Sequence, residues 1–218
     1  MLDLITINEQ KYLTKLEYVI EYIRNQIILG KLKPGERIKE NVLKCELKMS
    51  SSPIREAIIH LEAEGLLTRI PHIGAKISEL NVGDEKELYL MQAQLQKIAV
   101  KFAAPKLDEK DIKIAENLNE EMEKITNNMM DPERLRILNY KFHMVINGIS
   151  IYPWLTRLIS SLWIRLKTTV WENKTSAIFF INQHKEILQA IKNKNFDSAA
   201  DLMNDHFESA KELLFDKK

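Results

Sequence analysis

Apolar residues recur at helical spacing along most of this chain, and they divide it into two unlike halves. From Tyr12 to Leu29, the residues Leu16, Val19, Ile20, Ile23, Ile27 and Ile28 make one face of an amphipathic helix that Gly30 ends. A Pro34-Gly35 turn follows. Val42, Leu43 and Leu47 predict a short second helix, broken at Lys48-Met49-Ser50. Ile54, Ala57, Ile58 and Leu61 then fall at i, i+3, i+4 and i+7, the buried stripe of a third. Ser50 sits where an N-cap is expected, Pro53 is tolerable in the first turn, and Gly65 ends the helix. Leu66–Ile70 and Ala75–Ile77 read as two short strands around a turn holding Pro71 and Gly74.

The second half has only the helical period. Glu79 to Gly83 reads as a linker. Asp84–Ala104 carries Leu88, Met91, Leu95, Ile98 and Phe102 on one stripe, and Asp108–Asn128 carries Ile112, Ile114, Leu118, Met122 and Ile125. Asp131-Pro132 opens a third helix that runs to about Gly148; Tyr152–Val170, Ser176–Asn193 and Phe196–Phe215 supply three more. Short connections between amphipathic helices imply an antiparallel bundle. The fold expected is mainly α: an N-terminal winged helix-turn-helix in residues 1–78 (1–10 a lead-in), a linker at 79–83, and a C-terminal all-α bundle in 84–218.

Composition changes this picture little. Formal net charge is +1 over 218 residues. Residues 1–78 carry 12 Lys/Arg against 10 Asp/Glu, so nucleic-acid binding must rest on local placement rather than on global charge. A helix-turn-helix followed by a small hairpin places its second helix in the major groove and its wing near phosphates or the minor groove. Arg69, His72 and Lys76 are the wing side chains in reach, and Lys39, Lys44, Lys48 and Arg55 are the other local cations on which the reading rests. Cys45 is the one cysteine, which excludes an internal disulfide and fits a reducing cytoplasm; it reads as a core or half-buried helix residue. No apolar run approaches the ~18 residues a membrane span needs.

Three of the five histidines, His143, His184 and His206, fall on three different bundle helices, with Asn139 one turn before His143. Facing helices of a bundle can supply ligands to one ion, and neutral imidazole suits zinc, nickel or copper. Spacing alone leaves this open against hydrogen-bonded core histidines.

The motifs Gly30-x-Leu32-x-Pro34-Gly35-x-x-Ile38, Ser50-x-x-Pro53-Ile54-Arg55-Glu56-Ala57-Ile58 and Leu61-Glu62-x-Glu64-Gly65-Leu66-Leu67 closely resemble the winged helix of the GntR family of bacterial transcription regulators. The second half resembles the FCD-type effector domain of its FadR-like branch, through Asn139-x-x-Phe142-His143, His184 and His206. Together the resemblance spans about Lys15 to Leu214. It implies a cytoplasmic homodimer, a repressor by family habit, acting on an inverted-repeat DNA operator and answering to a small-molecule effector. On the DNA side it assigns Asn41, Ser50, Ser51, Ser52, Arg55, Arg69, His72 and Gly74. Asn41 and Ser51-Ser52 stand where relatives carry Arg and Arg-Thr, which implies an A·T-leaning operator, since asparagine pairs naturally with adenine.

On the effector side the resemblance implies a divalent metal, zinc or nickel, at His143, His184 and His206. The fourth ligand is Asn139 where metal-binding members have Asp, which weakens binding and leaves the cation's charge to attract a carboxylate effector. Gln92 and Gln96 replace an Arg and a Glu that face the cavity in relatives, and Arg165 is the stand-in cation for the effector. Two alternatives stay beside this: a metal-dependent hydrolase on the histidine bundle, and a regulator whose bundle is metal-free and only dimerises.

Overall fold

The computed structural model describes residues 14–71, 73–148, 151–166 and 169–215. They form two compact units, one through Asn81 and one from Val82.

In the front unit, helix α1 (Lys15–Ile28) starts at Thr14, whose hydroxyl accepts from the Glu17 N–H while the Glu17 carboxylate reaches back, a capping box. Val19, Ile20 and Ile23 are its buried face. Helices α2 (Glu40–Leu47) and α3 (Ser51–Ala63) are joined through Lys48, which takes a left-handed conformation at φ 52°. Ile54, Ala57, Ile58 and Leu61 are buried as their spacing predicts, with α3 packed across α1. Strands β2 (Leu67–Ile70) and β3 (Gly74–Ile77) form the antiparallel wing. A two-residue strand absent from the sequence reading, β1 (Arg37–Ile38), pairs with the other edge of β3, giving the order β1-β3-β2.

Three expectations in this unit are corrected. Cys45 is exposed, not core. Helix α2 is only about two turns long and turns Leu43 inward, so a residue two positions on faces away. Val42 is exposed for a similar reason, one position from the buried one. Ser50 holds the N-cap position, but its hydroxyl makes no capping bond.

The back unit contains α4 (Val82–Ala103), α5 (Glu109–Asn128), α6 (Pro132–Ile146), α7 (Pro153–Trp163), α8 (Lys174–Lys192) and α9 (Phe196–Phe215). Helix α4 lies along α9 and α7, α5 lies against α6 and α8, and α8 lies against α9. Asp108, Asp131 and Asn173 cap α5, α6 and α8 with side-chain oxygens, and Pro132 follows Asp131 in the first turn of α6. The helix expected over Tyr152–Val170 stops at Trp163. A turn of 3-10 helix at Thr169–Glu172 then carries Val170 and Trp171 into the interior. No described helix is long and apolar enough to cross a membrane.

The stripe read on α4 is the wrong one. Met91, Ile98 and Phe102 are exposed, and Leu88 and Leu95 are half-buried. The inward seam is Tyr89, Gln92, Ala93, Gln96, Ala99, Val100 and Ala103. On α5 the seam is Ala115, Asn119, Met122 and Thr126, with Ile114 exposed. In both helices small and amide side chains occupy the interior because a polar centre lies there.

Candidate functional site

That centre is built by α6, α8 and α9. His143, His184 and His206 are all buried, and one nitrogen from each lies within 4.8 Å of the others. Ring centroids stand 5.3 Å apart for His143 and His184, 5.1 Å for His143 and His206, and 4.8 Å for His184 and His206. The spacing that left a shared site open is thus resolved in favour of one cluster. Burial disfavours the charged form. It holds His143 and His184 well below the ordinary imidazole range, with the other rings adding to it, and takes His206 down to about 3. The rings are therefore neutral and available as ligands.

Each ring has one nitrogen engaged. Nδ1 of His143 lies 2.7 Å from Gln96 Oε1, that of His184 lies 3.1 Å from Asn119 Oδ1, and that of His206 lies 3.0 Å from Gln183 Oε1. Nε2 of His143, Nε2 of His184 and Oδ1 of Asn139 are buried with no hydrogen-bond partner. Such atoms are costly to leave unmet. A divalent cation accepted by lone pairs would satisfy them together, so the residues present fit a metal. Trp163 packs on His143, Trp171 and Phe142 on His184, and Phe180 on His206, walling the cluster from water. A cavity of about 30 Å³ lies beside it, bounded by Tyr89, Asn139, Trp163, Trp171, His206 and Phe207, among others. That is room for about one water.

Gln92 and Gln96, expected to face an effector, are fully buried with their amides bonded to Ile159 O, to each other and to His143. Arg165 does not line the cavity; its guanidinium donates to the Ser161 carbonyl at 2.7 Å. Asn119 and Gln183 escaped the sequence reading. Neither had a sequence signal: Asn119 lies off the apolar stripe read on its helix, and Gln183 is one polar residue among several on α8.

In the front unit, α2, the start of α3 and the wing enclose a cleft of about 520 Å³ lined by Arg37, Lys39, Asn41, Arg55, Arg69 and Gly74, among others. Asn41, Ser50 and Ser52 are exposed, and Ser51 is half-exposed. Arg55 Nε donates to Glu40 at 3.0 Å, Arg69 donates to Glu62 at 2.8 Å, and Ser52 donates to Glu56 at 2.8 Å. Gly74, at φ 114°, has nothing within 4 Å of where a Cβ would stand, so the wing tip is open to a close approach. His72 lies outside the described residues.

Residues 15–77 match the bacterial regulatory proteins of the gntR family, and residues 87–209 match the FCD domain. The chain belongs to the GntR family of transcription regulators, with an FCD domain following its winged helix in sequence. It is 30% identical over 190 residues to the uncharacterized HTH-type transcriptional regulator YdhC of Bacillus subtilis, covering 85% of this chain and 84% of that one. It is 27% identical over 186 residues to the Nta operon transcriptional regulator of Aminobacter aminovorans, covering 84% and 88%. Its fold matches that of E. coli McbR/YncC with a TM-score of 0.86 at 23% identity, over 94% of this chain and 98% of the other. This GntR-family protein is a DNA-binding regulator and not an enzyme, so the hydrolase alternative has no support.

Proposed function

We propose that the protein is a homodimeric, cytoplasmic repressor whose bundle binds a divalent metal and, through it, a small carboxylate effector. The observation that carries the metal reading is the clustering of the three rings together with buried atoms that have no hydrogen-bond partner: Nε2 of His143, Nε2 of His184 and Asn139 Oδ1. His143, His184 and His206 would hold zinc or nickel, with Asn139 as a neutral fourth ligand. The bound metal would supply positive charge to a pocket whose described lining carries none. Among the described residues no cationic side chain lines the neighbouring cavity, so the ion would anchor an anion there once that one-water space opens to admit it.

The reading head would place the α3 N-terminus, with Ser50, Ser51 and Ser52, at base edges. Asn41 would favour adenine, Arg55 and Arg69 would hold phosphates, and the wing around His72 and Gly74 would approach the minor groove. Dimerisation rests on the outward stripe of α4. Ile98 and Phe102 are 43% and 54% exposed, and on the adjacent α7 Trp154 and Leu158 are 79% and 46% exposed. Apolar side chains clustered this way mark a protein-protein surface. Two such chains would present two heads to an inverted repeat.

Metal analysis of the purified protein with and without His184→Ala tests the centre. Metal at one per chain in the wild type and none in the variant is expected; full stoichiometry in the variant would remove the site. A salt titration of operator binding with Arg55→Ala tests the reading head, where an unchanged affinity and salt slope would refute the phosphate role.

A further inference from the structure

Two of the three imidazoles are held by amide side chains whose own direction is fixed by the backbone. Gln92 Nε2 lies 2.8 Å from the carbonyl oxygen of Ile159. A carbonyl oxygen only accepts, so the nitrogen of Gln92 must face it and its oxygen must face away. That oxygen lies 3.0 Å from the Gln96 amide, which must therefore present its own nitrogen. The Gln96 oxygen is left to face His143 Nδ1 at 2.7 Å, and it also accepts from Asn147 Nδ2 at 3.1 Å. His143 Nδ1 must then carry a proton. The second ring follows the same logic in one step. Asn119 Nδ2 lies 3.2 Å from the Ile181 carbonyl, so its oxygen faces His184 Nδ1 at 3.1 Å. His206 differs: its partner Gln183 leans on the Ser209 hydroxyl at 3.3 Å, which can donate or accept and fixes no direction.

We infer that Gln92, Gln96 and Asn119 are positioning residues that lock His143 and His184 as Nδ1–H tautomers and turn both bare Nε2 lone pairs toward the centre of the cluster. Only a deprotonated ring nitrogen can take a metal, and the hydrogen bond at the other nitrogen decides which one that is. The relay is uncharged throughout, so it orients the rings without offsetting a cation. This assigns the two glutamines of α4 to the imidazole behind them rather than to an effector. The tautomers belong to the metal-free protein; only their use for binding rests on the metal reading proposed above.

The test is a long-range proton–nitrogen correlation spectrum of the full-length, chelator-treated protein labelled with nitrogen-15 at histidine. His143 and His184 are expected as Nδ1–H forms, the minor tautomer of imidazole in water; an Nε2–H form at either ring overturns the assignment. Gln92→Met removes the anchor and lets the Gln96 amide turn. His143 should then become a tautomer mixture while His184 stays locked, and zinc affinity measured by calorimetry should fall ~10- to 100-fold. Asn119→Leu should release His184 in the same way. Asn119→Asp keeps an acceptor at Nδ1 and should restore the Nδ1–H form and zinc binding, which a merely structural role would not predict. Unchanged tautomers and unchanged zinc affinity in Gln92→Met would refute the relay. A wild-type protein that binds no zinc would sink the metal reading, and the spectrum would still decide the tautomers.

Discussion

Acidification of the metal-free protein should destabilise it by an amount that the three buried rings set. In the unfolded chain a histidine titrates near ~6.5. In the folded chain burial holds all three below that, His206 at about 3. Below the unfolded value the unfolded state therefore binds more protons, and stability falls with pH until the folded value is reached. At pH 7.5 the effect is nearly absent. At pH 5.5 each ring that stays neutral when folded costs about 1.4 kcal/mol, so three cost about 4 kcal/mol. With an unfolding entropy of ~2.1 cal/mol/K per residue, a bundle of about 140 residues would lose ~14 °C in melting temperature. Urea melts at both pH values in chelator should show this, and His206→Gln should reduce the loss by about 1.4 kcal/mol. Carboxylates elsewhere titrate equally in both proteins and drop out of the comparison. An equal pH response in wild type and variant would refute the reasoning.

Three further outcomes follow from the same geometry. Asn139→Asp puts a formal charge beside the ion, which is attractive by several kcal/mol even at an effective dielectric near ~20, so zinc should bind at least ~10-fold tighter by calorimetry; equal or weaker binding would contradict a ligand role for Asn139. Glu40→Gln frees Arg55 from an exposed pair whose partners are 66% and 40% accessible, worth at most about 1 kcal/mol, so operator affinity should rise by up to ~5-fold. That gain should vanish when Arg55→Ala is already present. Ile98→Asp should weaken self-association by about 2 kcal/mol or more, read by sedimentation as monomer at micromolar concentration, with the thermal melt of the bundle little changed.

Legibility differed sharply between the halves. The α3 stripe of Ile54, Ala57, Ile58 and Leu61 was readable because the front unit has a purely apolar core, where spacing and burial coincide. The caps at Asp131 and the full extent of α9 were readable because local chemistry fixes them. The seams of α4 and α5 were not, because their interior faces hold Gln92, Gln96, Asn119 and Thr126 while bulky apolar residues point outward. A hydrophobic pattern reports where apolar side chains cluster, and here one cluster lies on the outside. The histidine cluster was legible as a set of residues on separate helices. Its amide partners were not, since their roles depend on which backbone carbonyls face them. The strand Arg37–Ile38 is too short to carry any alternation. The end of α7 went unread because Val170 and Trp171 are apolar enough to extend the helical pattern past the turn.

The inverted α4 has a consequence for how the protein tolerates change. Ala93 and Ala99 admit no larger side chain, since both are fully enclosed. If they form the dimer surface proposed above, the bulky residues beside them that look most like core are free to drift, provided the partner's matching residues drift with them. Separate lineages could then diverge in partner choice at Met91, Ile98 and Phe102 while the inner row stays fixed, so that two copies from one cell need not cross-pair.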